Sequence, residues 1–346
     1  MRFSRPLRVA QWATGNIGTR ALQHVIDHPD LDLVALYVHS ADKDGIDAGV
    51  VCGRDTIGVI ATRSIDDVLA AAPDCVLYMP RSTDVEELCR LLSAGINVVS
   101  TCGVFHHPPS MDADTRATVE AACATGSTSI HSTGSSPGFI TEAVPLVLMS
   151  IQRRLDRITI DEFADLSPRN SPGLLFDVMG FGRPPGTSDP NRVGHLVDSF
   201  GPSLRLIADA LSVRLDSVVG TGAVAVTTRA VEIAAGTLEA GTVAAQRTTV
   251  SGMRAGRELM RFRATWFCTT EIDQPWELME TGWKIFVEGD APLDIDLRFP
   301  LDLEQMGAVT PGYTANRAVN AIPYVCAAEP GIRTITDLPQ IIARLS

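Results

Sequence analysis

The sequence lacks several features that would indicate particular classes of protein. It has no basic run interleaved with aromatic residues, and its 41 acidic and 29 basic residues give a net charge of -12, which argues against a nucleic acid or an anionic membrane as partner. No apolar stretch reaches the ~20 residues of a membrane-spanning helix, and residues 1–12 lack the apolar core of a signal peptide. We therefore expect a cytoplasmic protein that acts on a small molecule.

The cysteines also exclude two kinds of small domain. There are seven, an odd number, and no two of them form a C-x-x-C pair. Neither a disulfide framework nor a structural zinc site is indicated, so we expect reduced thiols and no metal.

What the sequence does contain is a long alternation of strands and helices in residues 1–150. The expected strands cover residues 7–12, 31–38, 58–61, 75–79, 96–101 and 127–132, and most are continuous apolar runs, as in a parallel sheet covered on both faces. Ser64 is placed to cap one intervening helix, and Thr83 with Glu86 forms a capping box for the next. The pattern predicts a doubly wound parallel sheet of the Rossmann type, a dinucleotide-binding domain.

The pattern of hydrophobic residues changes beyond this domain. Longer segments of alternating hydrophobicity follow at residues 157–164, 218–233, 242–253, 258–267, 283–288 and 293–299, with a helix expected at 191–211. We predict an α+β domain with an antiparallel sheet over residues 151–312, and a separate C-terminal segment, 313–346, with a helical period at 314–328.

The turn after the first strand carries the strongest local signal. Gly15 and Gly18 follow an apolar strand and begin a helix near Asn16, while Ala13 stands where G-x-G-x-x-G has its first glycine. A helix start of this kind directs unpaired N–H groups at a pyrophosphate, with no Cβ at Gly15 in the way. We predict cofactor contacts at residues Thr14, Gly15, Asn16, Ile17 and Gly18.

The end of the second strand sets cofactor preference in such sheets. Here the strand ends in His39 and Ser40, with Lys43 close behind, and no carboxylate occupies the strand end itself, although Asp42 is near. A carboxylate would hold the ribose 2′-OH, whereas basic and hydroxyl groups accept a 2′-phosphate. We therefore predict NADP(H), with NAD(H) as the alternative. His39 and Ser40 could instead merely end a strand at the surface.

Ligands of these sheets lie at the carboxyl ends of the strands, which here are followed by polar, turn-rich segments. The predicted cofactor contacts in these segments are Pro80, Arg81, Thr101, Cys102, Gly134, Ser135, Pro137 and Gly138. Residues 134–138 could equally be a simple loop at the start of a helix. Cys102 is more readily interpreted as a small residue beside the nicotinamide than as a nucleophile, because no base accompanies it.

Three residues are candidates for catalysis. His106 and His107 follow the fifth strand and could donate a proton to a reduced carbonyl or imine, or could be plain loop residues before two prolines. Glu162 lies with Asp161 and Asp165 on the first strand of the second domain, where a carboxylate could contact substrate or simply face solvent.

Three motifs resemble the dihydrodipicolinate-reductase-like oxidoreductases, and within them the branch of 2,4-diaminopentanoate dehydrogenase and the native amine dehydrogenases. They are QWATGNIG at residues 11–18, STGSSPGF at 132–139 and TANRAVNAIP at 314–323. The resemblance implies an NAD(P)H-binding domain, an α+β domain that closes over substrate and forms a homodimer, and a C-terminal segment that folds back on the cofactor. By the same match Gly134, Pro137 and Gly138 line the nicotinamide side, and Asn316 and Asn320 lie beside the nicotinamide or its ribose.

The chain departs from this family at two points. Amine dehydrogenases of the branch carry a glutamate after the fifth strand that holds the ammonium, but residues 101–104 contain no carboxylate. Dihydrodipicolinate reductases carry a His-His pair and a lysine in a later segment, which has no counterpart here. We expect an NAD(P)-dependent oxidoreductase that transfers hydride to or from a small carbonyl, imine or amine, with a catalytically silent NADP(H) sensor as the alternative.

Overall fold

The computed structural model describes residues 4–186 and 190–344. The chain divides into two compact units: unit 1 is Met1–Phe139 with Val309–Ser346, and unit 2 is Ile140–Ala308. The predicted domains 1–150, 151–312 and 313–346 are defined by role, and those roles stay a prediction.

Unit 1 alternates strands and helices along its first part. These are β1 Leu7–Trp12, α1 Asn16–Asp27, β2 Leu31–Tyr37, α2 Ala48–Val51, β3 Ala61–Thr62, α3 Ile65–Ala70, β4 Cys75–Tyr78, α4 Val85–Ser93, β5 Asn97–Ser100, α5 Ala113–Gly126 and β6 Ser129–Ser132. A kinked helical segment, Ser135–Ala143, follows.

Unit 2 contains most of the remaining elements. They are α6 Val144–Met149, β7 Leu155–Asp165, α7 Pro190–Ala210, β8 Ser217–Val226, β9 Val231–Ile233, β10 Gly236–Leu238, β11 Val243–Arg254, β12 Arg257–Phe267, β13 Gly282–Gly289 and β14 Leu293–Arg298. The long helix α8 Leu303–Val325 and the strand β15 Gly331–Arg333 complete the chain.

The sheet of unit 1 has seven strands in the order β15-β6-β5-β4-β1-β2-β3, all paired in parallel. This order reverses direction at β1, as in a doubly wound nucleotide-binding sheet, so the predicted fold of this part is confirmed. The strand β15 has no counterpart in the prediction: it joins the edge at β6, about two hundred residues away in sequence, with Ile332 opposite Ile130.

Helix capping in unit 1 follows the sequence with one exception. Ser64 accepts a hydrogen bond from the Asp67 N–H, as predicted for α3. The predicted capping box at Thr83 is wrong: Asp84 is the cap of α4, and its carboxylate accepts from the N–H groups of Glu86 and Glu87. Aspartate is a stronger N-cap than threonine and also complements the positive end of the helix.

The sheet of unit 2 has six strands in the order β14-β13-β7-β12-β11-β8. Four of its pairings are antiparallel as predicted, but β7 and β12 pair in parallel. The hydrophobic alternation that indicates a half-exposed sheet is the same for both directions, so sequence pattern does not distinguish them.

The helix α7 packs on one face of this sheet. Phe200 of α7 stacks on Phe262 of β12 with ring centroids 3.8 Å apart. Gly220 allows close approach, since a Cβ there would lie 2.5 Å from Val197. Burial of these aromatic and aliphatic groups anchors the helix.

Several predicted boundaries were wrong. The strand expected at 218–233 is two strands separated by a turn. The third strand begins at Ala61 rather than at Gly58, whose φ of +85° is left-handed. The last helix begins at Leu303, eleven residues earlier than the predicted period, and Gly307, Pro311 and Gly312 in its first turns are residues that disfavour a helix in sequence.

Candidate active site

The site is built around the turn from β1 to α1 in unit 1. Gly15 is the N-cap of α1, and a Cβ built on it would meet nothing within 4 Å. The first turn of α1 contains no acidic residue, and no side chain caps it. The space beside Gly15 is therefore open in front of the N–H groups of the first helical turn.

This open helix start contrasts with the helices around it. The N-termini of α2, α3, α4 and α5 are each capped by a side chain, from Asp47, Ser64, Asp84 and Asp112 respectively. No side chain among the described residues caps α1, so its first N–H groups are left for a ligand or solvent. An anion such as a pyrophosphate fits this position by charge and by hydrogen bonding.

The turn itself is held by Gly18 and Gln11. A Cβ at Gly18 would lie 2.2 Å from the Ala13 carbonyl oxygen, so only glycine permits the helix to pack on the turn. Buried Gln11 donates from Nε2 to the same oxygen at 2.9 Å. Ala13, in the place of the first glycine, adopts a left-handed φ of 72°, a conformation that costs alanine about 1 kcal/mol.

The end of β2 brings Lys43 to this turn. Its ammonium donates to the Thr14 carbonyl oxygen at 3.2 Å and to the Thr14 hydroxyl at 3.0 Å. Ser40 and His39 are exposed, and the His39 ring stands edge-on to Tyr37 at 5.2 Å. A cation and a hydroxyl thus lie at the strand end where a ribose is bound in sheets of this type.

The segments after β4 and β5 also meet. The Cys102 thiol contacts the Pro80 carbonyl oxygen at 4.0 Å, and Ser132 donates to the Cys102 carbonyl oxygen at 2.7 Å. Thr101 is half-buried, whereas Arg81 is exposed. These contacts place the Cys102 segment between two strand ends.

The glycine-rich turn after β6 is tied to α8. The Ser135 hydroxyl and the Thr314 hydroxyl are 2.7 Å apart, and the Ser135 N–H donates to the same Thr314 oxygen at 3.3 Å. A Cβ on Gly134 would lie 3.2 Å from the Thr314 methyl group, and Gly138 has a φ of 118° that favours glycine. The Ser136–Pro137 peptide bond is cis.

The two histidines lie beneath the surface. His106 and His107 are only 2% and 6% exposed. The Nδ1 atom of His107 lies 2.6 Å from the hydroxyl of exposed Ser110, which connects this imidazole to the outside.

The carboxylates of unit 2 differ in their partners. Asp161 is buried and forms a two-point ion pair with Arg263. Glu142 is buried and accepts a hydrogen bond from Ser203 at 2.6 Å. Half-buried Glu162 accepts from the indole N–H groups of Trp283 at 3.0 Å and Trp266 at 3.4 Å. Asp165 accepts from the Ser167 N–H at the end of the same strand.

The two asparagines of the TANRAVNAIP motif lie at different positions along α8 in unit 1 and have different neighbours. Asn316 is exposed and hydrogen-bonds to His24 on α1. Asn320, one helical turn further, lines a cavity with Leu7 and Leu31, the first residues of β1 and β2. The structure therefore places Asn320 near the amino ends of the strands, away from the phosphate turn.

Two residues that organise the site were missed by sequence reasoning. Gln11 fixes the phosphate turn and Thr314 fixes the glycine-rich turn. Both lie inside motifs that the sequence analysis identified. The Thr314 contact joins residues 179 positions apart and leaves no local pattern, and a lone glutamine in a strand does not reveal that its side chain bonds to the carbonyl two residues further on.

Comparison with known proteins identifies the family. A family model described as the 2,4-diaminopentanoate dehydrogenase C-terminal domain matches residues 139–346. The chain belongs to this family. An amine dehydrogenase from Streptomyces virginiae is 30% identical over 353 residues, which cover 95% of each chain. The predicted branch of 2,4-diaminopentanoate and amine dehydrogenases is thus confirmed.

Solved structures agree with the fold. The amine dehydrogenase of Mycobacterium smegmatis superposes with a TM-score of 0.74 at 19% identity, covering 99% of this chain and 98% of that one. A Synechocystis biliverdin reductase, solved with biliverdin and NADP+, gives a TM-score of 0.52 at 12% identity, with 96% and 94% covered. As a member of the amine dehydrogenase family, the chain is an NAD(P)-dependent oxidoreductase that uses a nicotinamide cofactor and a small-molecule substrate. Within the described ranges, no helix is long and apolar enough to cross a membrane.

Proposed function

We propose that this protein is an NADP(H)-dependent reductase or dehydrogenase that transfers hydride to or from a small carbonyl, imine or amine, and that it works as a cytoplasmic homodimer. The observation that supports this proposal most directly is the uncapped start of α1 beside Gly15, which offers N–H donors and open space to a pyrophosphate. The homodimer rests on the family resemblance.

The nicotinamide supplies the hydride chemistry when it is bound. The protein must therefore bind the cofactor, orient the substrate against it and exclude water. The residues proposed to hold the cofactor are Thr14, Gly15, Asn16, Ile17, Gly18, Pro80, Arg81, Thr101, Cys102, Gly134, Ser135, Pro137, Gly138 and Asn316. His39, Ser40 and Lys43 are proposed to select NADP(H), because the Lys43 ammonium at Thr14 provides a counter-charge for a 2′-phosphate. NAD(H) is the alternative.

A proton must accompany the hydride when a carbonyl is reduced. We assign the donor to the His106–His107 pair, and the 2.6 Å contact between His107 and exposed Ser110 supports a path for its reprotonation. Glu162 stays a second candidate for substrate contact.

The substrate that this chemistry favours is a neutral carbonyl or enone. Burying an unpaired ammonium costs several kcal/mol, and residues 101–104 supply no counter-charge. Three carboxylates elsewhere in the chain could supply that charge instead: Glu142, Asp161 and Glu162. Asp161 is neutralised by Arg263, Glu142 is buried against Ser203, and Glu162 accepts from two indole N–H groups.

The cofactor proposal is tested with Gly15→Asp. The added carboxylate would occupy the phosphate position, so NADPH binding should weaken at least about 100-fold by calorimetry while the thermal unfolding curve is retained. The matched control is Gly194→Asp, at an exposed position of α7 where a Cβ also meets nothing within 4 Å. Equal NADPH affinity in wild type and Gly15→Asp would refute the assignment.

Cofactor preference is tested with Ser40→Asp. A carboxylate at this position should repel a 2′-phosphate and shift the ratio of NADPH to NADH affinity by about tenfold toward NADH. If the unmodified protein already binds NADH more tightly, the assignment of NADP(H) is wrong.

Substrate class is tested by following cofactor absorbance with ketones, aldehydes and enones, with and without ammonium. We expect carbonyl reduction to exceed amination, and Gly103→Glu or Cys102→Glu to raise amination relative to carbonyl reduction because they supply a counter-charge and a base. Vigorous amination by the unmodified protein would contradict the neutral-substrate proposal. Tight NADPH binding without turnover of any compound would favour the sensor.

A further inference from the structure

A cavity lies in unit 1 at the edge opposite the phosphate turn. Its volume is about 670 Å³, which is within the range of small-molecule sites. It is bounded by the first residues of β1 and β2, by the segment after α1, by α8 and by the C-terminal segment. The twelve residues of α1 separate it from Gly15 by about 18 Å.

One part of the cavity wall is aliphatic. Leu31, Val319, Pro323 and Ile342 contribute to it, and Ile342 is 60% exposed. Such a wall favours a ligand with a hydrocarbon portion, because contact with it removes apolar surface from water.

The other part of the wall is polar and carries paired charges. Arg5 and Arg344 line it together with one carboxylate, Asp30, and with His28. Burial is the largest cause of a lowered pKa at His28, which is therefore mostly neutral at pH 7. Each guanidinium has a carboxylate partner, Asp74 for Arg5 and Asp30 for Arg344, so the charges of this wall are balanced. An anion would be held here by the hydrogen-bond donors that these pairs leave free rather than by excess charge.

Some hydrogen-bond donors on this wall are not used in contacts with other protein groups. Arg344 contacts Asp30 through Nη1 at 2.6 Å, and a guanidinium carries five N–H donors. Arg5 has fewer donors left, since both of its Nη atoms donate to Asp74. The side-chain amide of Asn320 has no hydrogen-bond partner among residues 4–186 and 190–344.

We propose that this cavity binds a small aliphatic carboxylate. The carboxylate is held by the guanidinium of Arg344 and the amide of Asn320, and the alkyl chain lies on Leu31, Val319 and Ile342. Charged hydrogen bonds to a guanidinium fix the anion, and the apolar wall selects for chain length. This site is separate from the proposed cofactor site.

The test is calorimetric titration of the full chain with sodium acetate, butyrate and hexanoate at constant ionic strength, with hexanamide as the neutral analogue. Affinity should rise from acetate to hexanoate by up to about fourfold per buried methylene, and hexanamide should bind at least about tenfold more weakly than hexanoate. Equal affinity for hexanoate and hexanamide would overturn the proposal.

Variants locate the binding. Arg344→Gln should weaken hexanoate binding at least about tenfold, whereas Arg54→Gln is the matched control, because Arg54 also forms a 2.6 Å ion pair beside the end of α1, with Asp27. Ile342→Ala, at an exposed position, should weaken hexanoate but not acetate. Unchanged hexanoate affinity in Arg344→Gln would overturn the proposal.

A last measurement separates this site from the cofactor site. Gly15→Asp should bind hexanoate as wild type does, and saturating NADPH should not displace hexanoate from the unmodified protein. Loss of hexanoate binding in either experiment would show that the carboxylate occupies the cofactor site, and would overturn this proposal without affecting the assignment of the cofactor.

Discussion

The two sheets of this protein place their polar groups in opposite ways. In unit 1 the strands are buried along most of their length, as in the entirely buried β4, and the polar residues of the candidate site lie beyond the strand ends. In unit 2 the strand β14 alternates half-buried and exposed residues, and charges lie within the strands.

Register explains how unit 2 tolerates these charges. Arg263 pairs with Asp161, Asp161 with Lys284, and Lys284 with Asp296, so a row of alternating charges crosses four strands. Opposite charges on neighbouring strands stabilise a sheet, and like charges destabilise it. The comparison teaches that unit 1 depends on the shape of its turns, while unit 2 depends on the pairing of its charges.

The largest expected effect tests the charge row. Asp161→Ala leaves Arg263 without its partner beside Arg247, whose pKa is lowered to about 10 by burial and by the Arg263 charge. We expect a loss of about 3–5 kcal/mol in the free energy of unfolding by urea. Asp296→Ala, in the same row but one-third exposed, should cost less than about 1 kcal/mol. Similar losses for both variants would show that the row is not organised around Asp161.

The next effect tests turn shape in unit 1. Gly18→Ala places a Cβ 2.2 Å from the Ala13 carbonyl oxygen, so the helix must shift away from the turn. We expect a loss of about 2–3 kcal/mol in stability and a large loss of NADPH affinity, measured by urea unfolding and calorimetry. Gly312→Ala, where a Cβ meets nothing within 4 Å, is the control. Wild-type behaviour of Gly18→Ala would contradict the packing argument.

A smaller effect distinguishes the predicted cap of α4 from the observed one. Asp84→Ala removes the acceptor for two N–H groups and should cost about 1 kcal/mol. Thr83→Ala should be nearly neutral in the same thermal unfolding experiment. A larger loss of stability in Thr83→Ala than in Asp84→Ala would instead support the capping box that the sequence indicates.

The smallest effect concerns pH. Burial lowers the pKa of His24 in the folded state, although its hydrogen bond to Asn316 acts in the opposite direction. The unfolded chain therefore binds the proton more readily, and stability should fall as pH decreases from about 6.5 through the folded-state pKa. His24→Gln should flatten the slope of unfolding free energy between pH 7 and 5 relative to the unmodified protein. If His24→Gln leaves the slope unaltered, the pH dependence of stability arises from other groups.

Sequence pattern predicts best where local rules act alone. The strand β1, the start of α1 at Asn16 and the Ser64 cap follow from apolar runs, glycine and a capping hydroxyl within a few residues. The same rules fail for β15, which is only three residues long and is stabilised by its pairing with β6.

The candidate site divides in the same way. The turn at Gly15 was visible in sequence, whereas the role of Thr314 depends on a contact with Ser135 across 179 positions. Asn320 shows that a matching motif does not by itself fix a residue's role. Its position at the cavity is set by the pitch of α8 rather than by the residues around it.

The pairing of β15 with β6 has a consequence for synthesis on the ribosome. The Ser129 hydroxyl bonds to the Val325 carbonyl oxygen, 196 positions later, whereas unit 2 is one continuous stretch, Ile140–Ala308. Unit 2 can therefore close while unit 1 still waits for α8 and β15 to emerge. During that interval the free edge of β6 is available to other strands, so chaperones should be needed most for the half of the chain that is made first.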